Sequence, residues 1–302
     1  MIKPCFVWAG SKRESSQVIS SLFPPVIPVY REPFIGSGAV FLKMADRIEQ
    51  AHLSDANPHL INTWSAIQSM PVTLAGLLAE HQDKHSSADV MDLGIRTDPK
   101  HYYYVVRKAF NHHKDEPAGV YAAARFLYLV KKCINGIVRF NRSGGFNAPM
   151  GHGKRPLPSA NDLLACQRAL TGSGELHRAT ISVLDGIDAL NAALSGEYVY
   201  LDPPYEVLSK TSSFRGYTAA GWPSGRVMTL VEAMVRAVAR GVNVVASQAY
   251  TEGMERLYRD AGFKIRLLQI RRSVNTKGDG RGRVPEILAW AGSGIVQPKD
   301  ET

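Results

Sequence analysis

An alternation of strand and helix signals, broken once in the middle, most constrains how this 302-residue chain can fold. Near the N-terminus "VIPVYREPF" predicts a strand, "IGSG" a turn and "AVFLKMADRI" a helix, and "AHLSDANPHL" adds a short strand that ends at Asp55. After residue 180 the alternation returns in "EYVYLD", "RVMTLVEAMVRAVARG", "VNVVAS", "TEGMERLYRDAG", "KIRLLQI" and "VPEILAW". Helical spacing of the apolar residues and short apolar runs together predict an α/β body.

The stretch between these two parts has a different character. "HYYYVVRKAFNHH" and "VYAAARFLYLVKKC" carry apolar residues at helical spacing, and "NRSGGFNAPMGHGKRPLP" reads as a polar, Gly- and Pro-rich loop. We therefore expect a discontinuous body formed by residues 1–56 and 181–296, an insertion over 57–180, and a short tail over 297–302.

Charge is concentrated in two segments. The chain carries a net charge of +9, yet residues 101–160 hold ten Lys or Arg against two acids, and residues 264–283 hold seven against Asp279 alone. Two basic segments on an otherwise mildly acidic chain favour a polyanionic partner such as nucleic acid. A basic surface that serves solubility is the alternative.

Composition narrows the class of protein further. No run of eighteen apolar residues exists, and the first residues, "MIKPCFVWAGSKRESS", lack the apolar core of a signal peptide. Cys5, Cys133 and Cys166 are widely spaced, which argues against a disulfide framework and against a zinc site. We expect a cytoplasmic protein with no membrane segment, no metal ion and no obligatory protein partner.

Two features near the N-terminus suit a ligand. Gly36 and Gly38 lie between a strand and a helix, where backbone can approach a bound molecule closely. The pattern is not the full dinucleotide fingerprint, because Phe41 replaces its third glycine, so a plain tight turn remains the alternative. Asp55 ends the next predicted strand, where an acid commonly accepts a hydrogen bond from a ribose hydroxyl. It could equally cap a helix that starts near Pro58.

The tetrapeptide "DPPY" at the end of a predicted strand is the rarest motif. An exocyclic amine on an aromatic ring is a poor nucleophile because its lone pair is delocalised. The Asp202 carboxylate and the Pro203 carbonyl could accept its two N–H groups and return electron density to nitrogen, while Tyr205 stacks on the ring. A proline-rich strand exit is the alternative.

The stretch "VWAGSK" near the N-terminus sets Trp8 and Lys12 on either side of a glycine. Taken alone, Trp8 would be interpreted as a core residue and Lys12 as a surface residue.

Seven blocks in this order resemble the Dam-type DNA adenine-N6 methyltransferases, of the D12 class and alpha group, over about residues 5–292. They are "VWAGSK", "EPFIGSGAVF", "SDANPHLIN", "NGIVRFNRSGGFNAPMG", "VYLDPPY", "SSFRGYT" and "IRRSVNTKGDGRGRVPEILAW". The resemblance implies a Rossmann-like S-adenosylmethionine-dependent methyltransferase sheet with an inserted, mainly helical target-recognition domain. It implies methyl transfer from S-adenosylmethionine to N6 of an adenine in double-stranded DNA, with S-adenosylhomocysteine as the product.

The same resemblance assigns residues. The cofactor-binding positions are Trp8, Lys12, Phe34, Gly36, Gly38, Asp55 and Asp202. The catalytic positions are Asp202, Pro203, Pro204 and Tyr205. The DNA-binding positions in the insertion are Ile134, Asn135, Ile137, Arg139, Asn141, Arg142, Lys154 and Arg155. Those in a basic hairpin near the substrate are Arg271, Arg272, Lys277 and Arg281.

One departure from the family pattern concerns target recognition. Dam carries a tyrosine just before Asn-Gly, whereas this chain has Ile134, an apolar side chain that can wedge between bases but cannot stack as a ring does. Arg139 suits the edge of a guanine, or alternatively a phosphate. The target could be GATC or a related short site. An RNA adenine methyltransferase and a DNA-binding protein with an inactive methyltransferase fold remain the alternatives.

Overall fold

Seven strands form one sheet in the order β3-β2-β1-β4-β5-β7-β6. The computed structural model describes residues 2–8, 10–86, 99–152, 155–172, 178–204, 225–271 and 283–298. The strands are β1 (Ile27–Glu32), β2 (Ile48–Asp55), β3 (Ala179–Val183), β4 (Tyr198–Leu201), β5 (Asn243–Ala249), β6 (Lys264–Arg271) and β7 (Arg283–Ala291). All neighbouring strands pair in parallel except β7, which runs antiparallel to both β5 and β6.

Ten α-helices lie in the described part of the chain, some on the sheet and others on neighbouring helices. They are α1 (Ser16–Ser20), α2 (Ala39–Met44), α3 (Pro58–Ser69), α4 (Pro71–Ser86), α5 (Pro99–His112), α6 (Val120–Lys132), α7 (Ala160–Thr171), α8 (Gly186–Asn191), α9 (Arg226–Ala239) and α10 (Glu252–Asp260). Short 3₁₀ turns lie at Ala45–Arg47 and Ile134–Gly136. The predicted α/β class and the predicted Rossmann-like arrangement are confirmed.

Local sequence explains the helices beside β5. The apolar stripe that the sequence predicts on α9 comprises Val227, Leu230, Val231, Met234, Val235 and Val238. The first four are buried and cover one face of the sheet, whereas Val235 is 42% exposed. Thr251 caps α10, since its hydroxyl accepts a hydrogen bond from the Met254 N–H at 3.0 Å. Gly262 ends the same unit with a φ of +83°, a conformation that glycine adopts without strain.

The two faces of the sheet carry separate cores. Helices α8, α9 and α10 cover a smaller core, whereas the helices from α1 to α7 contribute to one large cluster on the other side. Helix α3 packs on β2 and β3, and also on α6 and α7. The helices between β2 and β3 thus share a core with the sheet, and the predicted division into a body and a recognition insertion over 57–180 stays a prediction. Within the described residues no helix combines the length and apolar character needed to cross a bilayer.

Candidate active site

The strand order reverses between β1 and β4, which places a crevice at their carboxyl ends. Gly36 and Gly38 lie in the turn that follows β1. Asp55 is the last residue of β2, and Asp202 is the first residue after β4. Parallel strands place these three strand ends at the same edge of the sheet. Topology therefore brings together three stretches that lie far apart in the sequence.

The glycine loop after β1 needs glycine for both conformation and space. Gly36 and Gly38 have φ values of +45° and +65°, in the left-handed region. A Cβ atom on Gly36 would lie 2.8 Å from Cδ1 of Trp8, and one on Gly38 would lie 2.7 Å from Cζ2 of Trp64. The Trp64 indole N–H also donates to the Gly36 carbonyl at 3.1 Å. Both indoles therefore hold the loop close to the strand ends.

Asp55 faces this loop rather than capping the next helix. Its Oδ2 accepts a hydrogen bond from the Gly36 N–H at 3.3 Å, and its Oδ1 accepts one from the Asn57 N–H at 3.0 Å. The cap of α3 is Asn57, whose Oδ1 accepts from the N–H groups of His59 and Leu60. The capping alternative for Asp55 is therefore wrong. Burial raises the pKa of Asp55 to about 6, although these backbone N–H groups work in the opposite direction.

A buried ammonium lies beside the Asp202 carboxylate. Lys12 Nζ is 2.7 Å from Asp202 Oδ1 and 3.7 Å from Glu286 Oε2, and it donates to the Gly10 carbonyl at 3.0 Å. The Lys12 side chain is 4% exposed and that of Asp202 is 19% exposed. The interpretation of Lys12 as a surface residue is therefore wrong, because its ammonium group is buried in the crevice.

The charges in this group shift one another. Burial raises the pKa of Asp202 to about 6, Lys12 lowers it, and Glu286 raises it. Burial disfavours the charge on Lys12, but the carboxylates of Asp202 and Glu286 outweigh that effect and raise the lysine pKa. Asp202 is consequently an anion near neutral pH, and an ammonium group fixes one of its oxygens.

Two acids in this region were not among the predicted site residues. Glu286 is 1% exposed in the middle of β7. Glu32 ends β1, and its Oε2 accepts from the Tyr30 hydroxyl at 2.7 Å and from the Phe41 N–H at 3.0 Å. Burial raises the pKa of Glu32 to about 8, so it is mainly uncharged near pH 7. The signal in the sequence was an acid inside an apolar strand run, since buried charge is costly unless it is paired.

The remaining predicted cofactor positions border the same crevice. Phe34 packs so closely on the start of α8 that a Cβ on Gly186 would lie 2.1 Å from its ring. The hydroxyl groups of Ser11 and Ser37 lie 2.8 Å apart and join the N-terminal segment to the glycine loop. Trp8, Phe34, Asp55 and Asp202 all keep part of their surface accessible, whereas the two glycines are buried. An accessible acid, aromatic rings and a close backbone suit a nucleoside ligand that carries a positive charge.

The predicted DNA-reading stretch forms a turn and a short hairpin after α6. The Ile134 N–H donates to the Pro149 carbonyl at 3.0 Å, and Phe140 bridges to Phe146. Asn135, with a φ of +54°, is the one non-glycine residue with positive φ in the described part of the chain. A Cβ on Gly136 would lie 2.4 Å from Cγ1 of Val7, so this turn packs against the segment that carries Trp8. We call residues 134–151 the recognition loop.

The predicted DNA contacts in this loop have different surroundings. Those exposed to solvent are Ile134, Arg139, Asn141 and Arg142, and Arg155, which lies beyond the loop, is also exposed. Asn135 is half-buried, and Ile137 is buried at 6% exposure. Asn141 Oδ1 accepts from the Gly145 N–H at 2.7 Å and from the Ser143 hydroxyl at 2.8 Å, so its side chain shapes the hairpin. Their contacts with DNA stay predictions.

A cluster of aromatic rings packs against the recognition loop on its protein side. His59 lies between Phe110, Phe126 and Phe140, with ring centroids 4.6, 5.7 and 5.9 Å away. Phe126 in turn meets the edge of Trp8 at 6.4 Å. A packed aromatic layer therefore runs from the recognition loop to the cofactor side of the crevice.

The basic segment is less exposed than a count of its charges suggests. Lys132 is 2% exposed, and its Nζ donates to the Arg155 carbonyl at 3.0 Å and to Gln82 Oε1 at 3.1 Å. Burial lowers the pKa of Lys132 to about 8, and Lys131 lowers it further. Arg107 lies over the Tyr104 ring at 4.4 Å and donates to the Ala148 carbonyl at 3.2 Å. These two cations stabilise the loop rather than extend a basic surface.

Several predicted residues lie outside the described part of the chain. They are Tyr205, Lys154, Arg272, Lys277 and Arg281. Arg271 ends β6 and pairs in register with Arg283 of β7, so the two strands that flank the predicted basic hairpin are antiparallel neighbours as expected. Pro203 is buried and Pro204 is half-buried directly after Asp202.

Comparison with known proteins identifies the family. The family model of D12 class N6 adenine-specific DNA methyltransferases matches residues 8–274. The chain is 31% identical over 290 residues to the type II methyltransferase M1.LlaDCHI of Lactococcus lactis subsp. cremoris, covering 95% of this chain and 94% of the relative. It is 30% identical to the DNA adenine methylase of Vibrio cholerae, with 93% of both chains covered. It is 28% identical to the DNA adenine methylase of Escherichia coli K12, with 96% of both covered.

The matched residues span the glycine loop, the recognition loop and the tetrapeptide after β4, whereas Glu286 on β7 lies beyond them. The chain belongs to the D12 class of N6 adenine-specific DNA methyltransferases.

Proposed function

We propose that this protein transfers a methyl group from S-adenosylmethionine to N6 of an adenine that is flipped out of double-stranded DNA. The observation that carries the proposal is the position of Asp202. It follows β4 at the point where the strand order reverses, stays partly accessible, and pairs with a buried ammonium at 2.7 Å. This arrangement holds a carboxylate rigidly at the edge where ligands of such sheets bind.

The residues around the crevice fit the methyl donor. Those that would hold it are Trp8, Lys12, Phe34, Gly36, Gly38, Asp55 and Asp202. When bound, S-adenosylmethionine supplies an electrophilic methyl group on a positively charged sulfur. Asp55 is oriented by two backbone N–H groups and would accept from the ribose hydroxyls. Gly36 lets the backbone approach the nucleoside closely.

Asp202 and Pro203 would prepare the amine. Each N–H of adenine N6 donates to one acceptor, the Asp202 carboxylate or the Pro203 carbonyl, which shifts electron density toward nitrogen. The carboxylate need not remove a proton beforehand, because such an amine is too weak an acid. It stabilises the positive charge that develops on nitrogen, and the proton leaves later. Lys12 assists by favouring the ionised form of Asp202 and fixing its position.

The recognition loop would engage DNA. Adenine N6 cannot be reached inside the duplex, so the base must leave the stack. Ile134 begins a glycine-containing turn and is 39% exposed, so its apolar side chain could enter the gap between bases. Arg139 is exposed on the same loop and would read a guanine edge, while Arg142 and Arg155 would meet phosphates. Such a protein would act in the cytoplasm of a bacterium, where chromosomal and phage DNA are found.

The decisive experiment maps N6-methyladenine by long-read sequencing in a methylase-free host that expresses the protein. We expect one short methylated motif, GATC or a related site, in cells with the wild-type protein. Cells with the Asp202→Ala variant should show none, since loss of one fixed acceptor costs roughly a hundred- to a thousandfold in turnover. An unmethylated genome would contradict the proposal. Equal turnover on duplex DNA and matched RNA in vitro would favour the RNA alternative.

A further inference from the structure

Three side chains on one face of α5 hold the backbone of the recognition loop. Tyr103, Arg107 and Asn111 lie four residues apart, so they share one face of the helix. The Tyr103 hydroxyl donates to the Ala148 carbonyl at 2.9 Å, and Arg107 Nη1 donates to the same carbonyl at 3.2 Å. Asn111, one turn further along, reaches Phe146. Helix α5 therefore binds a short stretch of the loop, residues 145–148, which we call the return segment.

Asn111 forms two hydrogen bonds with a single residue of the return segment. Its Nδ2 donates to the Phe146 carbonyl at 3.0 Å, and its Oδ1 accepts from the Phe146 N–H at 2.7 Å. A neighbouring β-strand would offer the same exchange of two hydrogen bonds. An amide side chain has both the donor and the acceptor that this exchange needs. Asn111 therefore takes the place of a strand beside the return segment.

The return segment pairs on its other side with the stretch that carries Arg139. The Asn147 N–H donates to the Arg139 carbonyl at 2.9 Å, next to the bridge between Phe140 and Phe146. A second such bond lies on the far side of the bridge, so Phe140 and Phe146 form the non-hydrogen-bonded pair of an antiparallel ladder. In such a pair the backbone N–H and C=O groups point away from the partner, which explains why those of Phe146 face α5.

Burial alternates along the return segment. Phe146 is 1% exposed and Ala148 is 0% exposed, whereas Asn147 between them is exposed, as is Arg139 opposite it. The buried residues are the ones that α5 holds, and the exposed ones offer their side chains to solvent. A shift of Phe146 would move the backbone of Arg139, because the hydrogen bond from Asn147 joins the two stretches.

We propose that Asn111 is a positioning residue for sequence recognition, which acts with Tyr103 to hold the return segment on α5 and so places Arg139 at the base edges. This inference rests on the proposed function and deepens it. A bidentate contact between arginine and guanine requires two N–H groups to meet two acceptors, and it carries sequence information, whereas phosphate contacts carry none. A displaced Arg139 therefore costs discrimination between sites more than affinity for DNA in general.

The test compares target sites rather than total activity. For the wild type and Asn111→Ala, kcat/KM is measured on the methylated motif and on duplexes that differ from it by one base pair. We expect Asn111→Ala to lower the ratio of the two values roughly tenfold, a partial loss of what a bidentate base contact provides. Calorimetry should give an affinity for S-adenosylmethionine within about twofold of the wild type, because Asn111 holds the loop and not the cofactor. An unchanged site ratio in the folded variant overturns the proposal.

The chain offers a matched control in Asn62. Its Nδ2 donates to the Gly119 carbonyl at 3.0 Å, and its Oδ1 accepts from the Gly119 N–H at 3.0 Å. Like Asn111, it is half-buried, but it braces the start of α6 instead of the recognition loop. Asn62→Ala should cost similar stability and keep the site ratio within about twofold. An equal fall of the ratio in Asn62→Ala would reduce the effect of Asn111 to general loosening and overturn the proposal.

A double variant tests whether Asn111 acts through Arg139. When Arg139→Ala is already present, adding Asn111→Ala should not lower the site ratio further, because the side chain that it positions is gone. Independent losses that multiply would contradict the proposal.

A milder variant decides where Asn111→Ala does not fold. Tyr103→Phe removes the hydroxyl that donates to the Ala148 carbonyl and keeps the ring, so it should lower the site ratio about two- to fivefold. An unchanged ratio in that variant would overturn the joint role of the two α5 residues.

Failure of this inference is distinct from failure of the proposed function. A wild-type protein that methylates no DNA would contradict the proposed function. A wild-type protein that methylates one motif, with a site ratio that depends on Arg139 but not on Asn111, would contradict the role of Asn111 alone.

Discussion

Lys12 and Arg139 are both cations of the proposed reaction, but their surroundings have little in common. Lys12 is 4% exposed and lies between two carboxylates, whereas Arg139 is exposed on the recognition loop. The first works in a desolvated site where each charge strongly affects its neighbours. The second sits in water above a packed aromatic layer. The proposed roles in chemistry and in recognition therefore place these two cations in opposite environments, and substitutions should separate their effects.

The largest effect is expected from Lys12→Met. This change leaves the carboxylates of Asp202 and Glu286 buried without their cation, which costs about 3–5 kcal/mol in the free energy of unfolding. Urea denaturation followed by circular dichroism measures this loss, and methyl transfer should fall below detection. The matched control is Lys84→Met, because the Lys84 side chain is 62% exposed and pairs with Glu80 at 3.9 Å on a helix surface. Its cost should stay within about 1 kcal/mol. Equal losses of unfolding free energy in Lys12→Met and Lys84→Met would contradict the prediction that the buried lysine matters more than the exposed one.

Arg139→Ala should act on recognition and leave stability unchanged. Loss of a bidentate contact with guanine costs about 1–3 kcal/mol, roughly ten- to a hundredfold in turnover on the preferred site relative to other sites. Steady-state kinetics on matched duplexes measure the ratio, and thermal unfolding checks the fold. Arg142→Ala is the control on the same loop, and it should weaken all duplexes uniformly. A uniform loss and a shallower salt dependence for Arg139→Ala would make it a phosphate contact instead.

A smaller effect follows from pH. Burial raises the pKa of Asp202 to about 6, so methyl transfer should fall roughly tenfold between pH 7 and pH 5 as the carboxylate gains a proton. The effect on stability has the opposite sign. The folded state binds this proton more tightly than the unfolded chain does, so the contribution of Asp202 to stability falls as pH rises from about 4 to about 6.

The variant Asp202→Asn isolates this titration. Its free energy of unfolding, compared with that of the wild type at each pH, should show the wild type losing relative stability across that window. A pH-independent difference would show that the carboxylate has an ordinary pKa.

The smallest effect is expected from Asn141→Ala. This variant removes the acceptor for the Gly145 N–H and the Ser143 hydroxyl and should cost about 0.5–1.5 kcal/mol of stability. Ser143→Ala removes only one of these bonds and should cost less. If Asn141→Ala weakens DNA binding with no change in unfolding, the side chain contacts DNA rather than shaping the hairpin.

The sequence predicted the sheet best where burial is strongest. Strands β4 and β5 and helix α9 carry unbroken apolar runs or stripes, and their predicted spans agree with the structure to within two residues. The edge strand β3 was missed although its apolar and polar residues alternate, because the run is only five residues long and only Ala179 in it is buried. Helix α4 was missed for a similar reason, since among its apolar residues only Pro71, Leu74 and Leu78 are buried.

The sequence predicted the site residues that belong to short motifs, but not the contacts that only the tertiary structure creates. Asp202, Gly36 and Asp55 were identified from strand ends and turns, and the structure gathers them at one edge of the sheet. The burial of Lys12 and its contact with Glu286 could not be foreseen, because 274 positions separate the two residues and only the sheet topology joins them. The count of charges also included Lys132 in a basic surface, whereas its side chain is buried and donates to the Arg155 carbonyl.

The place of β7 in the sheet has a consequence for synthesis. This strand is the last in the chain among the described strands, yet it is hydrogen-bonded on both sides, between β5 and β6. A nascent chain therefore presents the open edge of β5, and holds Lys12 and Asp202 without Glu286, until residues 283–291 have left the ribosome. Completion of the sheet and of the contact between Lys12 and Glu286 is then a single late event in synthesis.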